Sequence, residues 1–189
     1  MKVGILGGTF NPVHQGHVMI AQGGQQALGL ERILWIPAKL PPMKTVEGDL
    51  SPEDRCRMVE LAIAGVPTFA VSRLELDREG PSYTVDTLRQ LRRDHPQVTW
   101  YFLIGSDILP QLSSWREIET ALTLATFVVV PRPSAPIGTL PARVQRLDVP
   151  TVDVSSSEIR QRLRAGQSVD DLVPAAVARY IREHHLYAA

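Results

Sequence analysis

Gly7-Gly8-Thr9-Phe10-Asn11-Pro12-Val13-His14-Gln15-Gly16-His17 joins a short apolar run to a segment of helical composition. The run before it, Val3-Gly4-Ile5-Leu6, carries β-branched residues and reads as a strand buried on both faces. After it, Val18-Met19-Ile20-Ala21 opens a helix that continues to Leu28 and stops at Gly29. A strand, a glycine turn and a helix N-terminus together present backbone N–H groups to a phosphate. Gly7 and Gly8 let the backbone approach a ligand where a Cβ would collide. Pro12 fixes its own φ and removes a donor, so Asn11-Pro12 makes a second turn.

The two histidines add chemistry to the turn. With Gly16-His17 at the helix start, His14 and His17 both face the space above the strand end. Imidazole N–H donors beside exposed backbone N–H groups suit an oxyanion such as a phosphate undergoing substitution. The same run also reads as a plain strand–turn–helix whose histidines cap or hydrogen-bond locally. Zinc fits poorly: His-x-x-His lacks the i, i+4 helical spacing and the glutamate of the metalloprotease pattern, and no metal-ligand set is expected.

Over the whole chain, 20 Lys+Arg balance 20 Asp+Glu, so charge argues for neither a nucleic-acid nor a membrane partner. A length of 189 residues suits a single domain spanning 1–189 with a sizeable core. Cys56, the single cysteine, excludes an internal disulfide and fits a reducing compartment. Its helical context makes it a packing residue. The opening apolar run is too short for a signal peptide, and nothing approaches membrane-spanning length. The expectation is a soluble cytoplasmic protein, with a homo-oligomer left open.

Strand and helix signals alternate, which predicts a doubly wound, mostly parallel α/β sheet covered on both faces. Further strands are expected at Ile33–Ile36, Phe69–Ser72, Val98–Ile104, Phe127–Val130 and Thr151–Val154. Between them come a helix capped at Ser51-Pro52, a second opening at Ser82-Tyr83-Thr84, and a third through Trp115 to Leu122. Residues 38–50 and 131–143 are proline-containing loops. Gly105-Ser106-Asp107 follows a strand, at the carboxyl end where parallel sheets bind ligands. A closing helix over Pro174–His185 buries Val177, Tyr180 and Ile181.

The second constellation is Ser155-Ser156-Ser157-Glu158-Ile159-Arg160. Ser155 or Ser156 caps a helix with Glu158 in its first turn. Ile159 and Leu163 turn to the core, leaving Arg160 on the first exposed turn. Hydroxyls, free N–H groups and a guanidinium then converge as a second phosphate site. An ordinary serine-capped helix with a solvated arginine is the alternative.

These residues resemble the nucleotidylyltransferase superfamily. Pro41-Pro42-Met43-Lys44, Ser82-Tyr83-Thr84-x-Asp86-Thr87-Leu88, Gly105-Ser106-Asp107 and Trp115 are similar to the bacterial nicotinate-nucleotide adenylyltransferases. The resemblance runs from Lys2 to Tyr187. It implies a Rossmann-like nucleotidylyltransferase fold with a C-terminal helical segment. It also implies the reaction of ATP with nicotinate mononucleotide to give deamido-NAD and pyrophosphate, with Mg²⁺ arriving on ATP.

By that resemblance His14 and His17 contact the ATP phosphates, with His17 near the reacting α-phosphate, and Lys44 and Arg160 join them as catalytic residues. Gly7, Gly8, Thr9, Phe10, Gly16, Gly105, Asp107, Ser155 and Ser156 would line the ATP side, with Thr84, Trp115, Asn11 and Tyr83 on the acceptor side. The chain departs from the pattern in having Asn11 for the common Asp, Met43 for a frequent His and Ser157 for Thr. Other acceptors on the same fold, nicotinamide mononucleotide and phosphopantetheine among them, stay open, as does a nucleotide-binding module without turnover.

Overall fold

A computed structural model describes residues 1–42 and 50–188. Its strands are β1 (Lys2–Gly8), β2 (Arg32–Pro37), β3 (Phe69–Val71), β4 (Thr99–Gly105), β5 (Thr126–Val130) and β6 (Val144–Arg146). They form one sheet in the order β3-β2-β1-β4-β5-β6, and every pairing is parallel. The helices are α1 (Gln15–Leu28), α2 (Pro52–Ile63), α3 (Thr84–Asp94), α4 (Leu109–Leu112), α5 (Ile118–Leu124), α6 (Ser156–Arg164) and α7 (Ala175–Glu183). This strand order reverses between β1 and β4, where a doubly wound sheet opens a crevice at its carboxyl edge.

Period-2 alternation sorts the strand side chains onto two apolar faces. Leu6, Ile33, Trp35, Leu103, Val128 and Val130 share one cluster with Ile20, Val59, Ile159 and Val177 of α1, α2, α6 and α7. Val3, Ile5, Ile36, Phe102, Ile104, Phe127 and Val129 share the other with Leu88 of α3 and Leu122 of α5. Gly24 permits the close seat of α1 on the sheet: a Cβ there would lie 2.8 Å from Leu103. Gly29, left-handed at φ +62°, ends α1 where the sequence predicts. Ser51 caps α2 by accepting from the Asp54 N–H at 3.0 Å.

Two expectations are corrected. Thr151–Val154 is not a strand, because the β5 edge is already taken by β6 and the Leu147 N–H, which donates to Val129 at 2.9 Å. Side chains hold this segment instead. Thr151 donates to the Pro131 carbonyl at 3.1 Å, and the Arg132 guanidinium to the Val154 carbonyl. Nor is Trp115–Leu122 one helix. Trp115 lies in a turn between α4 and α5, and Glu117 at φ +48° separates the two. The expected loop at 38–50 falls mostly on residues 43–49, outside the described residues.

Candidate active site

At the carboxyl ends of β1 and β4 lies a cavity of 990 Å³. Its wall begins where β1 stops at Gly8 and the chain reverses. Phe10 makes that reversal with φ +51°, a conformation rare for a bulky side chain. Burial holds it there: the ring is 2% exposed, 5.6 Å from Trp35 and edge-on to His17 at 5.0 Å. A Cβ on Gly8 would press on that ring at 3.3 Å, so a side chain there would push the Phe10 ring aside. The Asn11-Pro12 peptide bond is cis.

His14 is the N-cap of α1, and Gly16 and His17 sit in its first turn. The two imidazoles stack, with centroids 3.7 Å apart. Burial, aided by the charge of Arg132, lowers the His14 pKa to about 3, so this ring is neutral at any physiological pH. His17 Nδ1 accepts from the His14 backbone N–H at 3.2 Å. In the neutral ring the proton therefore sits on Nε2, as a donor. The first turn of α1 holds no acidic side chain to offset its positive end. As the sequence predicts, both histidines line the cavity.

The start of α6 is built onto the same turn. Ser156 Oγ donates to the Pro12 carbonyl at 2.9 Å, and Arg160 Nη1 to the Asn11 carbonyl at 2.8 Å. Arg160 Nη2 donates to Ser157 Oγ at 3.2 Å. Arg160 is thus not on an exposed turn: it is 9% exposed, because Asn11-Pro12 covers the helix face that looked solvated. It still lines the cavity, with Ser156 and Ser157. Ser155 does not; its hydroxyl caps the helix, accepting from the Glu158 N–H at 3.1 Å.

Gly105 and Asp107 line the wall at the end of β4. Asp107 pairs with Arg132 at 3.2 Å, and Ser106 Oγ accepts from the Arg132 N–H at 2.8 Å. On the opposite face of the sheet, Tyr83, Thr84 and Trp115 line the same cavity. Trp115 is half-buried, edge-on to Phe102 at 6.1 Å and Phe127 at 6.5 Å. The Arg116 guanidinium lies 4.7 Å over the Tyr83 ring. Lys44 and Met43 lie outside the described residues. All the other predicted site residues except Ser155 meet in this one cavity: Gly7, Gly8, Thr9, Phe10, Asn11, Gly16 and Gly105 belong to it with those above.

Several polar residues here escaped the sequence reading. Arg132 stands at the carboxyl end of a parallel strand, a position that was itself a signal. Arg55 is fully buried and donates to the Thr9 and Ala38 carbonyls, each at 2.7 Å, joining the ends of β1 and β2. Its place in the apolar stripe with Met58, Val59 and Ala62 hinted at burial. Glu75 on the cavity wall and Tyr187, whose hydroxyl donates to Asn11 Oδ1 at 2.7 Å, left no such trace.

The cytidylyltransferase-like family matches residues 5–162. A probable nicotinate-nucleotide adenylyltransferase of Thermus thermophilus is 47% identical over 187 residues, 99% of this chain and 100% of that relative. Another, from Geobacillus kaustophilus, is 47% identical over 188 residues, covering 100% of this chain and 87% of the relative. Among solved structures, Plasmodium falciparum nicotinic acid mononucleotide adenylyltransferase complexed with NaAD superposes with a TM-score of 0.82. At 20% identity, over 98% of this chain and 97% of that one, it shows the shared fold. With its strand order and these relatives, the chain belongs to the cytidylyltransferase-like family and, within it, to the nicotinate-nucleotide adenylyltransferases.

Proposed function

We infer that the chain joins ATP and nicotinate mononucleotide by direct in-line transfer of the adenylyl group. An oxygen of the acceptor's 5′-phosphate bonds to the α-phosphorus as the bond to the bridging oxygen breaks. The electron pair leaves on pyrophosphate, and deamido-NAD is the other product. No protein nucleophile takes part, so the chain's work is positioning and charge stabilisation. The observation that carries this reading is that the histidine turn and the Tyr83–Thr84–Trp115 group line a single cavity, on opposite faces of the sheet.

His17 Nε2–H and the N-terminal turns of α1 and α6 would meet the charge that develops around the α-phosphorus. His14, neutral, would donate without adding charge. Arg160 and Lys44 would hold phosphate oxygens, Ser156 and the Gly7–Phe10 backbone would border the phosphates, and Gly105 and Asp107 the nucleoside. Thr84, Tyr83 and Trp115 would receive the pyridine ring, with Asn11 bordering the acceptor. A divalent cation, Mg²⁺, would come with ATP, neutralising pyrophosphate oxygens while keeping much of its water shell. Among the described residues no three His, Cys, Asp or Glu side chains gather as a metal site. No helix among them is long and apolar enough to cross a membrane, and we place the reaction in the cytoplasm.

ATP carrying a chiral thiophosphate at the α-position tests the single displacement. Inversion at phosphorus is the expected outcome, and retention would establish a covalent enzyme intermediate instead.

A further inference from the structure

Glu75 lies 8% exposed on the cavity wall beside Ser82 and Thr84, and none of the phosphate chemistry above uses it. Its partners stand on both sides of Tyr83–Thr84. Thr87 Oγ1 donates to its carboxylate at 2.7 Å and accepts from Arg78 Nη2 at 3.0 Å. On the other side, the Ser82 hydroxyl favours its charged form. That same Ser82 oxygen accepts from the Lys39 N–H at 3.0 Å and the Leu40 N–H at 3.4 Å, while the Ser82 N–H donates to the Leu40 carbonyl at 2.9 Å. The carboxylate thus holds Thr87 of α3 and stands beside the serine that holds the chain leaving β2.

We propose that Glu75 is a positioning residue for the acceptor end of the cavity, clamping Ser82–Thr87 and Lys39–Leu40 so that Thr84 meets the acceptor's ring; this rests on the acceptor reading above. Thr84 and Val85 open α3 and have no carbonyl one turn back for their N–H groups. Their direction is set by whatever fixes that turn, and the Glu75 bonds bracket it. The charged acceptor it offers the Thr87 hydroxyl is one that no amide or aliphatic side chain matches. Burial works to raise the Glu75 carboxyl, and its hydrogen bonds from Thr87 and Ser82 and the charge of Arg78 oppose that rise.

The test compares full-length wild type with Glu75→Ala and Glu75→Gln. With saturating ATP, Glu75→Ala raises the KM for nicotinate mononucleotide by about tenfold or more, the scale of losing bonds to a charged group. The KM for ATP stays within about twofold, since the phosphate turn is built on other contacts. Glu75→Gln keeps one accepting oxygen and falls between; it stands in if the alanine variant fails to fold. Amide hydrogen exchange, read without substrate, quickens at Lys39 and Leu40 and in 82–88, and not in β4 or β5. Equal rises in both KM values, or an unchanged acceptor KM, overturn the proposal. Exchange no faster than wild type at Lys39, Leu40 and 82–88 overturns the clamp on its own. Failure of the wild type to use nicotinate mononucleotide overturns the acceptor reading, and the exchange measurement still decides the clamp.

Discussion

The His14 and His17 imidazoles stack at 3.7 Å while His17 Nδ1 accepts from the His14 backbone N–H, so the α1 cap itself fixes which nitrogen of His17 carries the proton. That donor is held in place before any substrate arrives. His17→Ala should lower kcat by about 10²–10³-fold, the range for one lost oxyanion donor. ATP affinity should change far less, because the contact strengthens mainly in the transition state. Steady-state kinetics beside an ATP titration read both; near-normal kcat in a folded variant removes His17 from the mechanism.

Burial lowers His14 from 6.5 to about 3 on folding, so between those values the unfolded chain binds the extra proton. The resulting stability is complete above about pH 6.5 and is lost as pH falls toward 3. His14→Gln should flatten that part of the stability profile relative to wild type. Urea melts at pH 7, 5.5 and 4.5, about three points spanning the window, measure it. Parallel profiles for the two proteins would mean that His14 is not protected from protonation.

Arg160→Lys should lose stability as well as activity. The guanidinium reaches the Asn11 carbonyl and Ser157 Oγ from a site only 9% exposed, and an ammonium cannot reproduce that fork. A cost of about 1–3 kcal/mol corresponds to a Tm lower by roughly 2–12 °C for a chain of this size. Thermal melts followed by circular dichroism, run beside activity, check it. Wild-type Tm with wild-type rate would make Arg160 a bystander.

Tyr187→Phe removes the hydroxyl that donates to Asn11 Oδ1 at 2.7 Å. The expected loss is about 1 kcal/mol, hence a Tm lower by roughly 2–4 °C. A larger fall in activity than in stability would show that the C-terminal tail also sets the Asn11-Pro12 turn for catalysis.

What could be read from the residues was local. The β1–turn–α1 unit, the Gly29 stop and the Ser51 and Ser155 caps depend on neighbours within a few residues, and all are found as expected. Arg160 misled because its cover, Asn11-Pro12, lies 149 residues away. Thr151–Val154 misled because alternating valines describe a half-buried extended segment whether or not a ladder edge is free. Val144–Arg146 takes that edge with a sequence carrying two polar residues and no strand signal. Glu75 went unnoticed since its role exists only once α3 and the end of β2 stand side by side.

Nicotinate and nicotinamide mononucleotides differ in a carboxylate against a carboxamide. Donors at the start of α3 favour the carboxylate, because the amide NH₂ would face another donor. Trp115 would stack on the ring and add about 1 kcal/mol beyond buried area, so Trp115→Ala should weaken both acceptors alike. The direct measurement is kcat/KM from pyrophosphate release, with ATP and each mononucleotide in turn and phosphopantetheine as a control. A badly paired amide costs about 1–3 kcal/mol, so nicotinate mononucleotide should be preferred by roughly ten- to over a hundredfold. Thr84→Val should narrow that ratio. Equal kcat/KM for the acid and the amide, or release with phosphopantetheine alone, would contradict the account.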